Sequence, residues 1–319
     1  MGIEVKILDK KKVIILAGGR STEREVSFKT SEEMYKNLDK NKYDVDIIAI
    51  PAEISNEWVN KLIQANPDIV ISALHGGAGE DGTVQGLLEC LNIPYVGTKV
   101  AGSAIGMDKY LSKQIMRLNH IPVAGDIFIN QKDDINNYKD DINILGFPLV
   151  VKPNKGGSSI GISIVNNFCE LESAVSEVKK LNDDILIEKY ICGREVTCGL
   201  LENKNGIEVL TVLDISANST FYDYKAKYEA EDTQIVFSTL PVFLQEMIQE
   251  IAKKVFKVLK CSGYGRVDMI VQEEQVIVLE INTLPGMTSH SLIPKALQGQ
   301  GISYGEFLDK LIEFELEKR

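Results

Sequence analysis

Along the first hundred residues, short apolar runs alternate with segments whose apolar positions recur every three or four residues. KVIILAGG (Lys12 to Gly19) is a continuous apolar run ending in glycines; YDVDIIAI and DIVISALHGG are two more strand-like runs. The segments STEREVSFKTSEEMYKNL, EWVNKLIQA and GTVQGLLECL carry the helical period. Strands alternating with helices predict a parallel sheet covered on both faces, with ligands at the carboxyl ends of its strands. Those ends are Gly18 and Gly19, and the stretch His75 to Gly82.

Beyond Thr98 the pattern changes. A helix MDKYLSKQIMRLN precedes the runs IPVAGDIFI, FPLVVKP and GISIV, a helix reaching Leu181, and the strand DILIEKYI. From Cys192 on, EVTCGLL and IEVLTVLDI read as antiparallel strands, STFYDYKAKYEAEDTQIV is polar and aromatic, and FLQEMIQEIAKKVFKVL is an amphipathic helix. GRVDMIV and QVIVLEIN then form a hairpin. The predicted class is α/β, turning to α+β in the C-terminal part, with units at 1–97, 98–190 and 191–319. At 319 residues the chain exceeds one typical domain, which agrees with that division.

Composition narrows the function. A net charge of −11 argues against sequence-independent binding to nucleic acid or to an anionic membrane. No apolar run is long enough to span a bilayer, and the N-terminal MGIEVKILDKK lacks a signal-peptide pattern, so a cytoplasmic protein is expected. The five cysteines (Cys90, Cys169, Cys192, Cys198, Cys261) contain no C-x-x-C pair and are expected to be buried, reduced thiols.

Asp268, Glu280 and Asn282 are the most informative constellation. A short turn around Glu273 and Glu274 separates their strands, so antiparallel pairing brings Asp268 approximately opposite Glu280, and Asn282 shares their face. Opposed like charges in apolar strands repel, and a hard divalent cation would remove the conflict. A solvated strand face is the plainer alternative. Lys152-Pro-Asn-Lys-Gly-Gly-Ser-Ser-Ile-Gly161 is a glycine-rich loop between two strands, able to surround phosphate oxygens or to be an ordinary hairpin turn. It is not a Walker A loop. Gly77-Ala-Gly79-Glu-Asp-Gly82 matches the dinucleotide fingerprint G-x-G-x-x-G, but Glu80 and Asp81 would face the pyrophosphate and the usual downstream acid is missing at its spacing.

The segments GGRSTEREVS, ALHGGAGEDGTVQG, MDKYLSK, VKPNKGGSSIG, LIEKYICGREV, FYDYKAKY, GRVDMIV and LEINTLPGMTSHSL run through all three units. Together they resemble the ATP-grasp superfamily and, within it, the D-alanine–D-alanine ligase family. The resemblance implies an ATP-grasp fold behind an N-terminal Rossmann-like sheet. It implies ATP with two Mg2+ ions as cofactors, admits Mn2+ and a monovalent cation such as K+, and suggests a homodimer. Its partners are small molecules, D-alanine and ATP, with neither nucleic acid nor membrane.

By the same resemblance, Lys109, Lys152 and Lys227 would bind phosphates, and the main chain over Glu188, Lys189, Tyr190 and Ile191 would receive adenine. Glu195 would bind the ribose, and Asp268, Glu280 and Asn282 the magnesium ions. The donor D-alanine would place its ammonium on Glu23 near His75, and its carboxylate would become an acyl phosphate. The acceptor's carboxylate would sit on Ser291 and Leu292, with Arg266 and the Gly286 N–H holding the tetrahedral oxyanion. Tyr228, Ser158 and Glu23 would form a hydrogen-bonded set, and Tyr228 favours an amine acceptor over D-lactate. Gly156 stands where some relatives carry a larger residue, which is expected to loosen the phosphate loop, and His290 has no assigned role. D-serine as acceptor, and a regulatory protein that binds nucleotide without turnover, are the competing readings.

Overall fold

A computed structural model describes residues 10–216, 234–289 and 291–318. Lys225, Lys227, Tyr228 and His290 lie outside the described residues, as does most of the N-terminal extension.

The first unit is built on three parallel strands in the order β2-β1-β3: β1 (Lys11–Gly18), β2 (Tyr43–Ile50) and β3 (Ile69–Ser72). Helices α1 (Arg24–Asn37), α2 (Glu57–Ala65) and α3 (Thr83–Cys90) connect and cover them. Val13 to Ala17 are fully buried, as expected of a strand covered on both faces. Gly18 and Gly19 have φ of 85° and 92°, which turns the chain off the strand end. Arg24 holds that turn by donating from Nη1 to the carbonyls of Gly19 at 2.6 Å and Ile50 at 2.8 Å.

The fingerprint-like glycines form a single 3-10 turn, Gly77–Gly79, and Glu80 folds back to accept the Gly76 N–H at 2.9 Å. A main-chain N–H of the glycine turn is therefore already taken by a carboxylate.

The chain continues through α4 (Val100–Met107), a helix of mostly small residues with no strong apolar period, and α5 (Lys109–Leu118). Asp108 caps α5, its carboxylate accepting the Leu111 N–H at 3.0 Å. A four-stranded antiparallel sheet follows in the order β4-β7-β5-β6: β4 (Asp126–Ile129), β5 (Leu149–Pro153), β6 (Ser163–Val165) and β7 (Ile185–Lys189). It has its own core, including Ile129, Leu149, Val151 and Ile187, under α6 (Lys139–Leu145) and α7 (Phe168–Lys180).

A six-stranded antiparallel sheet completes the fold in the order β11-β10-β8-β12-β13, with β9 also on β8. Its strands are β8 (Arg194–Asn203), β9 (Gly206–Val209), β10 (Leu213–Ser216), β11 (Gln234–Phe237), β12 (Tyr264–Gln272) and β13 (Gln275–Asn282). The segment IEVLTVLDI, expected as one strand, is split in two. Leu200 pairs with Val209 but Thr197 with Leu213, so this side carries one extra residue and bulges. Helix α8 (Val242–Val258) buries Leu244, Ile248, Ala252, Val255 and Phe256 on one face of the sheet, together with Met116 and Ile121. The other face packs on the parallel sheet through α9 (Leu292–Gln298) and α10 (Tyr304–Glu317), where Tyr264 and Phe307 meet edge to face at 5.9 Å.

The cysteines correct an expectation: all five are free, but Cys90, Cys169 and Cys192 are exposed, at a helix end, a first helical turn and a loop. Only Cys198, inside β8, has a core position. Among the described residues no helix is long and apolar enough to cross a membrane.

Candidate functional site

Residues following all three sheets line a cleft of about 610 Å³. Glu23, His75 and Glu80 line it from the first unit, Lys109 and Ser158 from the second, and Arg266, Glu280, Asn282, Gly286, Ser291 and Leu292 from the third. Residues more than 260 positions apart in sequence thus converge on one space.

At the hairpin, Asp268 pairs directly with Glu280 and Arg266 with Asn282, whereas the two-residue turn alone would set Asp268 against Leu279. The register slips by one residue just past Asp268, a bulge that sits beside the carboxylates. Cations answer the charge conflict here. Arg266 donates Nε to Asp268 Oδ1 at 2.9 Å and Nη2 to Oδ2 at 2.7 Å, and Lys109 Nζ lies 3.5 Å from Glu280 Oε2. Thr197, across from Asp268 on β8, adds a hydrogen bond from Oγ1 at 2.6 Å. The inference that opposed carboxylates require a divalent cation is therefore corrected: side-chain cations already offset them. The set still suits a hard cation chemically, because it presents two carboxylates and the Asn282 amide, and Asp268 Oδ2 keeps a lone pair beyond the one Arg266 uses. Among the described residues no cluster of three or more His, Cys, Asp and Glu side chains gathers, so Asn282 is needed to complete any such set.

The glycine-rich loop is pinned to α5. Asn154, almost fully buried, accepts the Tyr110 N–H at 2.8 Å and donates to Asp108 at 2.9 Å. Lys109 Nζ donates to the Gly156 carbonyl at 2.5 Å, and a Cβ on Gly156 would stand 2.8 Å from Pro153 Cβ. Gly156 is thus a fitted position, against the expectation of a loosened loop. Ser158 and Ser159 hold φ of 51° and 58°, and the Ser158 hydroxyl donates to the Glu23 carboxylate. Two of the three members of the predicted hydrogen-bonded set are thereby in contact.

Glu23 immediately precedes α1 and is buried. His75 lies against Thr30, Nε2 to Oγ1 at 3.0 Å, and Ser21 donates its hydroxyl to the His75 carbonyl. Burial lowers the imidazole pKa, opposed by the Glu23 charge and the Leu284 carbonyl, which keeps the ring neutral near pH 7. Burial raises the Glu80 carboxyl to about 7, with the Gly76 N–H opposing. On the opposite wall, Ser291 precedes α9 and its Oγ accepts the Thr288 N–H at 3.1 Å. A Cβ at Gly286 would stand 3.0 Å from that oxygen.

The remaining predicted residues lie deeper along the four-stranded sheet or on β8. Lys152 is buried and ion-paired with Glu188 at 3.0 Å. Burial disfavours its charged form, but Glu188 and Glu280 outweigh that and raise its pKa. Glu188 is likewise opposed by burial yet held below the usual carboxylate range by Lys113 and Lys152. Past Glu188 the strand end is fixed by main-chain bonds, Lys189 N–H to Gly125 at 2.9 Å and Tyr190 N–H to Pro148 at 3.2 Å. Lys189 Nζ donates to the Gly146 carbonyl at 2.8 Å, and Ile191 leads into β8, where Glu195 pairs with Ile270. Sequence reasoning missed Thr197, Asn154 and Lys113. Thr197 and Asn154 carry no spacing signal, whereas Lys113 lies one helical turn after Lys109 inside MDKYLSK.

Comparison with known proteins gives a consistent answer. Residues 115–313 match the family model for the D-ala D-ala ligase C-terminus, and residues 12–67 and 52–98 match the model for its N-terminus. The chain is 43% identical over 307 residues to D-alanine–D-alanine ligase A of Bacillus cereus, covering 96% of this chain and 98% of that one. It is 42% identical over 310 residues to D-alanine–D-alanine ligase B of Clostridium perfringens, covering 97% and 99%. Among solved structures it resembles the Bacillus anthracis D-alanine–D-alanine ligase complexed with ATP, with a TM-score of 0.85 and 39% identity, covering 97% of this chain and 98% of that one. It also resembles the VanG D-Ala:D-Ser ligase of Enterococcus faecalis, with a TM-score of 0.84 and 31% identity, covering 96% and 99%.

Proposed function

The chain belongs to the D-alanine–D-alanine ligase family, and on that premise we propose that it uses ATP to join two D-alanine molecules through a D-alanyl phosphate, for peptidoglycan precursor synthesis. The observation that carries this reading is the single cleft, in which Glu23, Lys109, Ser158, Arg266, Glu280 and Ser291 meet from three separate units.

Lys109, Lys152 and the glycine-rich loop hold the triphosphate, the strand end from Glu188 to Ile191 receives adenine, and Glu195 takes the ribose. Asp268, Glu280 and Asn282 hold Mg2+, which when bound supplies positive charge against the phosphate oxygens. Glu23 takes the ammonium of the donor in the place where the Ser158 hydroxyl now donates, and the buried, neutral His75 adds no repelling charge beside it. The donor carboxylate attacks the γ-phosphorus, the bond to the bridging oxygen breaks, and ADP leaves. The acceptor amine then attacks the acyl carbon and loses a proton, and inorganic phosphate leaves with the bonding pair. Ser291 and Leu292 hold the acceptor carboxylate. Arg266 and the Gly286 N–H face the oxyanion, where a planar two-pronged cation suits a developing negative oxygen.

A dipeptide product, as opposed to an ester, rests on Tyr228. A homodimer in the cytoplasm completes the proposal, and Mn2+ and K+ remain compatible with the same site.

Phosphate release from magnesium ATP tests the reading, using D-alanine alone, L-alanine alone, or D-alanine with D-serine or D-lactate, with products identified by mass. Release specific to D-alanine with a D-alanyl-D-alanine product is expected. A D-alanyl-D-serine product formed in preference would reassign the acceptor pocket, and ATP binding without any release would leave a nucleotide-binding protein without turnover.

A further inference from the structure

Behind the phosphate lysine lies a second pair of opposed carboxylates, which the proposed chemistry does not use. Asp126 on β4 stands directly across from Glu188 on β7, and their side chains are only 3% and 4% exposed. Like charges facing each other in a sheet repel, and burial removes the water that would screen them.

Helix α5 supplies the offset. The Lys113 side chain is wholly buried, forms an ion pair with Glu188 Oε1, and brings Nζ within 3.9 Å of Asp126 Oδ2. The other oxygen of Glu188 meets Lys152 Nζ at 3.0 Å. One buried carboxylate is thus shared between two buried lysines, Lys152 on β5 and Lys113 on α5. Four residues earlier on the same helix, Lys109 reaches Glu280 of the other opposed pair. A single helical face therefore delivers one lysine to each sheet, at the i,i+4 spacing that places side chains in line.

We propose that Lys113 is a positioning residue for nucleotide binding: it holds Glu188 from behind, so that the charge of Lys152 is left available to a phosphate oxygen. The inference rests on the nucleotide reading above. Its logic is a count of charges: with Glu280, the other carboxylate near Lys152, met by Lys109, the groups Lys113, Lys152 and Arg117 face Asp126 and Glu188, three positive against two negative, leaving one positive charge for a ligand. Without Lys113 the count is two against two. Glu188 then turns wholly to Lys152, and a phosphate must break that buried pair before it can bind.

Calorimetric dissociation constants for magnesium ADP and for adenosine test this in the wild type, in Lys113→Met, and in the double variant Lys113→Met with Glu188→Gln. Lys113→Met is expected to weaken ADP about tenfold, equivalent to about 1.4 kcal/mol, and to leave adenosine unchanged because it carries no phosphate. The double variant, in which Lys152 no longer faces a charged carboxylate, is expected to recover the ratio of ADP to adenosine affinity to within about threefold of wild type, a ratio in which any change at the adenine end by Glu188 cancels. Unchanged ADP binding in Lys113→Met, equal losses for ADP and adenosine, or no recovery in the double variant would each overturn the proposal. Should Lys113→Met not fold, Lys113→Gln carries the same comparison. A wild type that binds no ADP would remove the nucleotide reading itself, and the proposal with it.

Discussion

Arg266 grips Asp268 from two positions away on the same face of β12, through paired bonds of 2.9 and 2.7 Å. The two residues have been assigned different tasks, an oxyanion contact and a metal ligand, yet each fixes the other's orientation. Replacing Arg266 with lysine keeps the charge but not the fork. Arg266→Lys is expected to lower kcat by about 10² to 10³-fold, the usual effect of losing an oxyanion donor, with the fold retained. Steady-state phosphate release decides it, and a kcat within threefold of wild type would remove Arg266 from the reaction.

Glu280 faces Asp268 and lies 3.5 Å from Lys109. Glu280→Gln is expected to cut turnover more than about 100-fold, since it removes one of two anionic oxygen donors, and to raise the Mg2+ concentration needed for the residual rate. Circular dichroism should match wild type. Normal turnover at ordinary Mg2+ would exclude the hairpin as the metal site.

Glu80 offers a test by pH. Its carboxyl is raised to about 7, chiefly by burial. An acid whose folded pKa lies above its unfolded value binds its proton more tightly when folded. Stability is therefore fully present below the ordinary carboxylate range and is lost as pH rises toward 7. Glu80→Gln keeps an oxygen for the Gly76 N–H and removes that loss. Relative to wild type, the variant should gain stability between pH 5 and pH 8, by about 3 kcal/mol at most. Parallel melting curves at both pH values would show it, and a constant offset would mean that Glu80 titrates normally.

Gly102, inside α4, sits against the chain just after α8: a Cβ there would approach the Lys260 carbonyl to 2.4 Å and Thr98 Cγ2 to 2.6 Å. One neighbour is main chain and cannot rotate away. Gly102→Ala is expected to destabilise by about 2 kcal/mol, in the range of overpacked cores. Chemical denaturation gives the number, and a variant as stable as wild type would show that α4 shifts freely.

Much of this architecture is legible in the amino-acid sequence. The alternation in residues 12–90 predicts the parallel sheet, and a two-residue turn brings Asp268 to within one residue of Glu280; the bulge that skips Leu279, which nothing in the strand marks, makes the two direct partners. The same step of two residues puts Arg266 beside Asp268, a contact the period of a strand allows but does not require. The pairing of Asp126 with Glu188 is out of the sequence's reach, because some 60 residues separate the two strands and no short turn sets their register. The bulge between β9 and β10 is hidden for a related reason: IEVLTVLDI contains no glycine or proline to mark it, and only the partner strand reveals the extra residue. Helix α9 is equally hard to foresee, since it spans only seven residues and contains Pro294.

Ser158 and Ser159 follow one another in a left-handed backbone that side chains other than glycine tolerate at about 1 kcal/mol each. The Ser158 hydroxyl on Glu23 is one of the contacts that hold them there. A contact between two units thus carries a backbone cost within one of them: the hydroxyl bond to Glu23 offsets part of what the two left-handed serines lose, so the shape of the phosphate loop is set in part by a residue at the start of α1.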